Sequence, residues 1–233
     1  MTTKRLMITG VGPGTGTAIV RRFAEAGYEV AMIARDAERL KSIESSMPNT
    51  RAFPVDVTDT ARFSETLDLI THEFGSPDVV VHNAVGGAFG NFMEIDPAIL
   101  ERNFQINVMA FLHLARHVAP SMIQAGAGTI IATGNTSALR GKSNFAGFAP
   151  TKAAQRILGE SIARELGPKG VHVAYVVIDA VIDVAWTRAA RPDASDDFFI
   201  QPADIANEVW HVAHQPKGAW SYNVELRPFK ETW

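Results

Sequence analysis

The sequence predicts an α/β domain built on a doubly wound, mostly parallel seven-stranded sheet with helices on both faces. Short apolar runs alternate along the chain with helix-length stretches, which is typical of parallel strands joined by crossover helices. A glycine-rich turn joins the first strand to the first helix, as is common in doubly wound sheets. The 233 residues fill one large domain at ~100–200 residues per domain, so we expect residues 1–233 to form a single domain.

The first half of the chain alternates strand and helix. Residues 6–9 are an apolar run, and apolar residues at helical spacing follow as far as Gly27. The elements expected next are a strand, a helix and a strand: residues 30–34, Ala37–Ser46 and residues 51–55. Thr58 or Asp59 then predicts a helix start, because such side chains cap helix N-termini.

The second half continues the pattern. The strands expected here are residues 78–81, 129–133, 171–178 and 222–226, and a long helical stretch covers residues 97–124. Apolar positions 153, 154, 157, 158, 162 and 166 fall on one face of a helix between Ala149 and Leu166 that Gly167 ends. Residues 179–197 have no period. Long connections in compact domains are usually functional, so we predict a lid over about residues 179–200.

Composition excludes several classes of partner and site. The net charge is −3, so nothing favours binding to nucleic acid or an anionic membrane. The absence of cysteine excludes disulfides and thiolate metal sites, and no apolar stretch approaches ~18 residues. His113 and His117 are four residues apart without a recognisable third ligand, so we expect no metal site. A soluble cytoplasmic protein is the expected default.

The glycine-rich turn reads Thr9-Gly10-Val11-Gly12-Pro13-Gly14-Thr15-Gly16. Between a strand and a helix, such glycines let backbone N–H groups approach a pyrophosphate at the helix N-terminus. The alternative is a turn that merely needs positive φ angles. No Gly-Lys-Ser/Thr follows, so the turn is not a P-loop.

The spacing of Gly10, Gly14 and Gly16 resembles the Thr-Gly-x-x-x-Gly-x-Gly pattern of the short-chain dehydrogenase/reductase family. The resemblance continues over nearly the whole chain through Asp56-Val57, His82-Asn83-Ala84, Asn107 and Lys152. It implies a Rossmann-type fold, an NAD(P)-dependent oxidoreductase acting on a small molecule, and a homodimer or homotetramer. The cofactor-binding residues it implies are Gly10, Pro13, Gly14, Thr15, Gly16, Arg35, Asp56, Val57, Asn83, Ala84 and Lys152.

Arg35 favours NADP over NAD, with NAD still possible. It directly follows the second predicted strand, where NADP-dependent members of the family place a base against the 2′-phosphate. Position 34 is Ala34, whereas an acid would hold a free ribose hydroxyl. The alternative is a solvated arginine beside Asp36.

The family's catalytic groups are only partly present. The resemblance assigns catalytic positions to Asn107, Asn135, Phe148 and Lys152, where the family has Asn, Ser, Tyr and Lys. A phenyl ring has no proton to donate. Asp179-Ala180 also replaces the family's Pro-Gly. The candidate replacement acids are Asp179, Lys152 acting through a water, Thr136 and Ser137, each of which also has an ordinary structural interpretation.

Two functions remain open at this point. The first is an NADP(H)-binding oxidoreductase with an atypical active site, acting on a small apolar or aromatic carbonyl or alcohol. The alternative is a catalytically silent nucleotide-binding sensor or structural subunit. A Rossmann-type methyltransferase is disfavoured by the Lys152 helix and the Asn83 turn.

Overall fold

The computed structural model describes residues 3–231 and has one seven-stranded, all-parallel sheet in that part of the chain. Its strands in chain order, with two short extra strands, are β1 (Arg5–Thr9), β2 (Glu29–Ala34), β3 (Thr50–Pro54), β4 (Val79–His82), β5 (Thr129–Asn135), β6 (His172–Ile178), β7 (Val181–Ile182), β8 (Phe199–Ile200) and β9 (Asn223–Leu226). The sheet order is β3-β2-β1-β4-β5-β6-β9, and β7 pairs separately with β8. The chain reverses direction across the sheet after β3, which opens a crevice at the carboxyl ends of β1 and β4.

Helices cover both faces of this sheet. They are α1 (Thr15–Glu25), α2 (Ala37–Ser46), α3 (Thr60–Phe74), α4 (Pro97–Phe104), α5 (Ala110–Ala125), α6 (Ala149–Leu166), α7 (Ala185–Ala190) and α8 (Pro202–Ala213). One apolar core includes Phe63 and Phe111 from α3 and α5, and the other includes Ile19 and Val209 from α1 and α8. The predicted doubly wound α/β class is therefore confirmed. No helix within residues 3–231 is long and apolar enough to span a membrane.

The long helical stretch expected at residues 97–124 is divided. A π-helical turn, Gln105–Met109, separates α4 from α5 and contains Asn107. Such single-turn widenings are frequent at functional sites. The sequence analysis also left out α8, although its buried residues Ile205, Val209 and Val212 recur at helical spacing.

The helix predicted between Ala149 and Leu166 is confirmed as α6, but much of its buried surface is polar. The buried residues near its centre are Thr151, Lys152, Gln155 and Gly159, whereas Ile157 is 51% exposed. Polar side chains lie inward here because they hydrogen-bond to one another and to buried backbone, which offsets the cost of removing them from water. Of the apolar positions, Leu166 is buried and Leu158 and Ile162 pack partly buried against a core, so apolar spacing accounts for only part of the inward side of α6.

The connection at residues 179–197 contains short regular elements although its sequence has no period. The segment contains β7 and α7, and β8 follows it. Arg188 donates to both carboxylate oxygens of Asp183 at 2.6 and 2.7 Å and to Asp196 at 2.6 Å. The hydrogen bonds from Arg188 lower the pKa of Asp183 to about 2. The buried Thr187 hydroxyl donates to Ile182 O, so the segment is held by local polar contacts rather than by an apolar period.

Candidate active site

A cavity of about 680 Å³ lies at the carboxyl ends of β1 to β4. Among its lining residues are ten of the predicted cofactor residues: Gly10, Pro13, Gly14, Thr15, Gly16, Arg35, Asp56, Val57, Asn83 and Ala84. Lys152, the remaining one, lines a second cavity. The loops after neighbouring parallel strands meet at this edge, which is why residues distant in sequence converge.

Two glycines of the turn are required by close backbone packing. Gly10 has φ 78°, and a Cβ atom there would lie 2.3 Å from Ala84 N. At Gly16 an added Cβ would lie 2.5 Å from the carbonyl oxygen of Gly10. Asn83 Nδ2 donates to that same oxygen at 2.8 Å, while Thr133 Oγ1 donates to Asn83 Oδ1 at 2.9 Å. Asn83 therefore ties the glycine turn to the ends of β4 and β5.

The N-terminus of α1 has polar groups that fit an anion. Its N-cap is Gly14, and no side chain caps the helix. The Thr15 hydroxyl is buried, yet it has no hydrogen-bond partner among the described residues. Unpaired N–H groups and a buried unpaired hydroxyl at a helix start suit a phosphate, so the turn fits the pyrophosphate of a dinucleotide.

Arginines and aspartates line the β2 and β3 end of the first cavity. Arg35 is 69% exposed, and its Nη1 lies 3.9 Å from Asp56 Oδ2. Arg39, which the sequence analysis missed, lines the same cavity and pairs with Asp36 at 2.8 Å. Burial raises the pKa of Asp56, but hydrogen bonds from Thr58 and the charges of nearby arginines lower it overall. Arg39 could have been predicted from the sequence, because it is a second basic residue only four positions after Arg35.

The second cavity, of about 740 Å³, opens from the first. Both are lined by Thr15, Asn83, Val85, Ile182 and Trp186. The second is also lined by Asn135, Phe148 and Lys152. The fourth predicted catalytic residue, Asn107, is fully buried and is not among the residues that line the second cavity. The two cavities together form a continuous cleft with a polar nucleotide end and a more apolar end.

Phe148 lies directly before α6 and not within it. It is the N-cap residue, with φ −128°, and Pro150 near the helix start makes an earlier beginning unfavourable. Its ring packs edge-to-face on Phe89 with centroids 5.4 Å apart. The ring therefore forms part of an aromatic wall and has no exchangeable proton.

Asn135 ends β5 and begins a short 3₁₀ turn, Thr136–Ala138. Its Oδ1 accepts from Ser137 N at 3.1 Å. Its Nδ2 has no hydrogen-bond partner within residues 3–231, and the residue lines the second cavity. This leaves an amide N–H donor for a ligand oxygen.

Lys152 places a buried amine at the second cavity. The residue is 2% exposed, and its Nζ donates to Thr133 O at 2.9 Å and to Gln155 Oε1 at 2.5 Å. Burial lowers the pKa of Lys152 to about 7. An ammonium has three N–H donors, so one remains for the cavity that Lys152 lines.

Gln155 connects this amine to Asn107. Its Nε2 donates to Asn107 O at 2.7 Å, a carbonyl in the π-helical turn. The Asn107 side chain donates to Gly86 O and Thr151 Oγ1 and accepts from Gly86 N. Gln155 escaped the sequence analysis. A glutamine three residues after Lys152 on a predicted helix was its only signal.

The other candidate acids lie at the cavity with different partners. Asp179 faces Arg227 at 3.6 Å, whereas Thr136 and Ser137 contribute hydroxyls to the lining. His117 Nε2 forms a hydrogen bond with Thr71 Oγ1 at 2.8 Å, and His117 Nδ1 lies 3.6 Å from Asp68 Oδ1. Groups of three or more side chains able to hold a metal ion are absent from the described part of the chain.

The chain is similar in sequence and in structure to known oxidoreductases. A family model described as short chain dehydrogenase matches residues 4–194. An uncharacterized oxidoreductase of Staphylococcus aureus (strain USA300) is 26% identical over 230 residues, covering 98% of both chains. The 7alpha-hydroxysteroid dehydrogenase of Escherichia coli (strain K12) is 29% identical, covering 93% of this chain and 89% of its own. A metagenomic short-chain oxidoreductase solved in complex with NADP has a TM-score of 0.85 at 26% identity, over 98% of both chains.

Proposed function

The chain belongs to the short-chain dehydrogenase family, and we propose that it is an NADP(H)-dependent oxidoreductase whose proton donor is Lys152. The observation that carries the proposal is the continuous cleft. One end fits a dinucleotide, and the other combines a buried amine with a free amide donor. The substrate is a carbonyl compound, or the corresponding alcohol in the reverse direction.

NADP(H) fits the nucleotide end. Thr15 Oγ1 and the N-terminus of α1 would hold the pyrophosphate, and the turn of Gly10 and Gly16 leaves room for close backbone approach. Arg35 and Arg39 would hold the 2′-phosphate. The relative solved with NADP supports this choice, while NAD binding in the same cleft is also compatible. When bound, NADPH supplies a hydride to the carbonyl carbon.

Asn135 and Lys152 bind and protonate the substrate oxygen. Asn135 Nδ2 donates a hydrogen bond to it, and Lys152 gives a proton as the C–O double bond becomes an alcohol. Lys152 is then a neutral amine, and its other partners, Thr133 O and Gln155 Oε1, have no proton to return. Reprotonation therefore comes from solvent through the cavity. A pKa of about 7 makes both forms accessible at neutral pH.

The test is NADPH oxidation with a panel of aromatic and aliphatic carbonyl compounds. We expect kcat/KM for reduction to fall as pH rises through about 7, because the ammonium is the required form. Lys152→Met should lower kcat/KM by ~10²–10⁴-fold, the usual contribution of a general acid. The matched control is Lys169→Met, a lysine on the 3₁₀ turn after α6 that lines neither cavity.

Two outcomes would count against the proposal. A rate independent of Lys152 would remove its assigned role. NADPH binding without oxidation on any carbonyl would favour the catalytically silent nucleotide-binding protein instead.

We also propose that the protein is a homo-oligomer. Ile157, half exposed on the outer face of α6, supports this because a large exposed aliphatic side chain gains by burial against a second copy. Ile157→Asp should then shift the particle mass measured by light scattering toward the monomer. A monomeric wild type at micromolar concentration would contradict the proposal.

A further inference from the structure

Three basic side chains line the second cavity in addition to Lys152, and we infer from them that the substrate is an apolar or aromatic carbonyl compound that also bears an anionic group, a carboxylate or a phosphate. The three are Arg140, Lys142 and Arg191. This inference rests on the proposed function, because it names the substrate class for the same cavity.

The three cations come from two segments that meet at the cavity. Arg140 follows the 3₁₀ turn Thr136–Ala138, and its backbone N donates to Thr136 O at 3.2 Å. Lys142 lies in the next turn, where Phe145 N donates to Lys142 O at 3.2 Å. Arg191 is the C-cap residue of α7. Backbone contacts therefore fix where each side chain starts. All three residues are exposed, and they line the same cavity although about 50 residues separate the two segments.

These cations lack acidic partners. None of the three forms an ion pair within the part of the chain that the structure describes. Arg188, one turn earlier on α7 than Arg191, is by contrast held by Asp183 and Asp196. The cationic lining is therefore not a general property of the segment.

Acidic residues at the cavity do not cancel these charges. Asp179 faces Arg227, which leaves Glu231 as the other carboxylate among the lining residues. The whole chain has a net charge of −3, so the local excess of positive charge opposes the overall balance. A cavity lined by one sign of charge concentrates ligands of the opposite sign.

The aromatic residues that line the second cavity indicate the chemistry of the uncharged part of the substrate. Phe89 packs edge-to-face on Phe145 and Phe148, with ring centroids 5.0 and 5.4 Å apart. Phe198 and Trp186 contribute further aromatic surface. Such a wall suits a flat or aliphatic group. Combined with the cations, it favours an amphipathic substrate whose carbonyl lies near Lys152 and Asn135.

The experiment compares three aromatic aldehydes of similar size: 4-formylbenzoate, 4-formylphenyl phosphate and the neutral methyl 4-formylbenzoate. We expect at least ~10-fold higher kcat/KM for an anionic member than for the ester, since one charge-assisted hydrogen bond is worth about that factor. The preference should weaken with added salt and should be lost in the triple variant Arg140→Ala, Lys142→Ala and Arg191→Ala. Whichever of the two anions is preferred identifies the group.

The control is Arg116→Ala, which removes an exposed arginine on α5 that lines neither cavity. A binding measurement separates this inference from the proposed function. Calorimetry measures the affinity of the NADP-loaded protein for benzoate and for phenyl phosphate, with benzyl alcohol as the neutral comparison ligand. If the wild type binds these anions and the triple variant does not, but neither protein reduces any carbonyl, the proposed reductase function is contradicted and the anion site is supported. Turnover with equal kcat/KM for ester and anions would overturn the anion site and keep the reductase.

Discussion

Lys152 Nζ lies 2.5 Å from Gln155 Oε1, and both side chains are buried beneath the second cavity. The ammonium is held by neutral oxygens, those of Gln155 and Thr133, instead of by a carboxylate. Neutral acceptors offset only part of the cost of burying a charge, and the pKa of Lys152 consequently falls to about 7. The acid strength of this group therefore depends on what occupies position 155.

Gln155→Glu should raise the pKa of Lys152, because a carboxylate favours the ammonium. The pH above which carbonyl reduction declines should move upward by at least ~1 unit, the size of shift that one close opposite charge produces. NMR titration of the lysine side-chain signals provides a readout independent of turnover. Gln105→Glu, which adds the same charge at an exposed site on the π-helical turn, should leave the titration in place.

The buried amine also makes stability depend on pH. The pKa of Lys152 is about 7 in the folded protein against a usual 10.5, so between these values the unfolded chain binds more protons. The free energy of unfolding of the wild type, relative to Lys152→Met, should therefore rise with pH by up to ~1.4 kcal/mol per unit in that window. Urea unfolding of both proteins from pH 7 to 9.5 measures the slope. A difference that stays flat over this range would contradict the burial of a titrating amine.

The sequence predicted the sheet, and ten residues predicted for the nucleotide end line one cavity, because those features are local. The turn at Gly10–Gly16 and the base at Arg35 follow directly from strand-turn-helix order. The interior of the site was less accessible, because the partners of Lys152 come from α6 and from the backbone of β5. A pattern of apolar spacing cannot reveal a buried polar face, and so Gln155 and the polar part of the inward side of α6 appear only in the structure.

We expect cofactor choice to depend on Arg35 after β2 and on Arg39 in the first turn of α2. Arg35→Ala and Arg39→Ala should each weaken NADPH binding more than NADH binding, because only NADPH has the 2′-phosphate. The expected loss for NADPH is ~10-fold per arginine, since a hydrogen bond to a charged group is worth about 1.5–3 kcal/mol. Fluorescence titration measures both ligands, with Arg116→Ala as the control. Equal affinities for NADH and NADPH in the wild type would refute the assignment.

The glycine turn allows a paired test of backbone packing. Gly10→Ala puts a Cβ 2.3 Å from Ala84 N at φ 78°, so the turn must move. Gly12→Ala meets nothing within 4 Å and needs no left-handed backbone. We expect Gly10→Ala to lower the free energy of unfolding by ~1–3 kcal/mol, and Gly12→Ala to change it by less than ~0.5 kcal/mol. Denaturant unfolding distinguishes the two. Similar losses for both variants would mean that the contact with Ala84 does not set the requirement.

The most direct test of the atypical centre restores the family's missing groups through Phe148→Tyr combined with Asn135→Ser. Both positions line the second cavity with Lys152, although Phe148 precedes α6 rather than lying within it. Phe148 is only 5% exposed, but it lines the second cavity, so one added oxygen atom should cost little in packing if it points into that cavity.

If the missing hydroxyl alone limits chemistry, NADPH-dependent reduction should rise by at least ~10²-fold, the low end of a general acid's contribution. If Lys152 already supplies the proton, the wild type should turn over its own substrate, and the double variant should leave that rate unchanged or lower it, because Asn135 Nδ2 is lost as a donor to the substrate oxygen. The single variant Phe148→Tyr separates these effects, since it retains Asn135. A double variant that binds NADPH as the wild type does, with neither protein reducing any carbonyl, would instead locate the block at Asp179-Ala180 or α7, because those residues line the same cavity or border it.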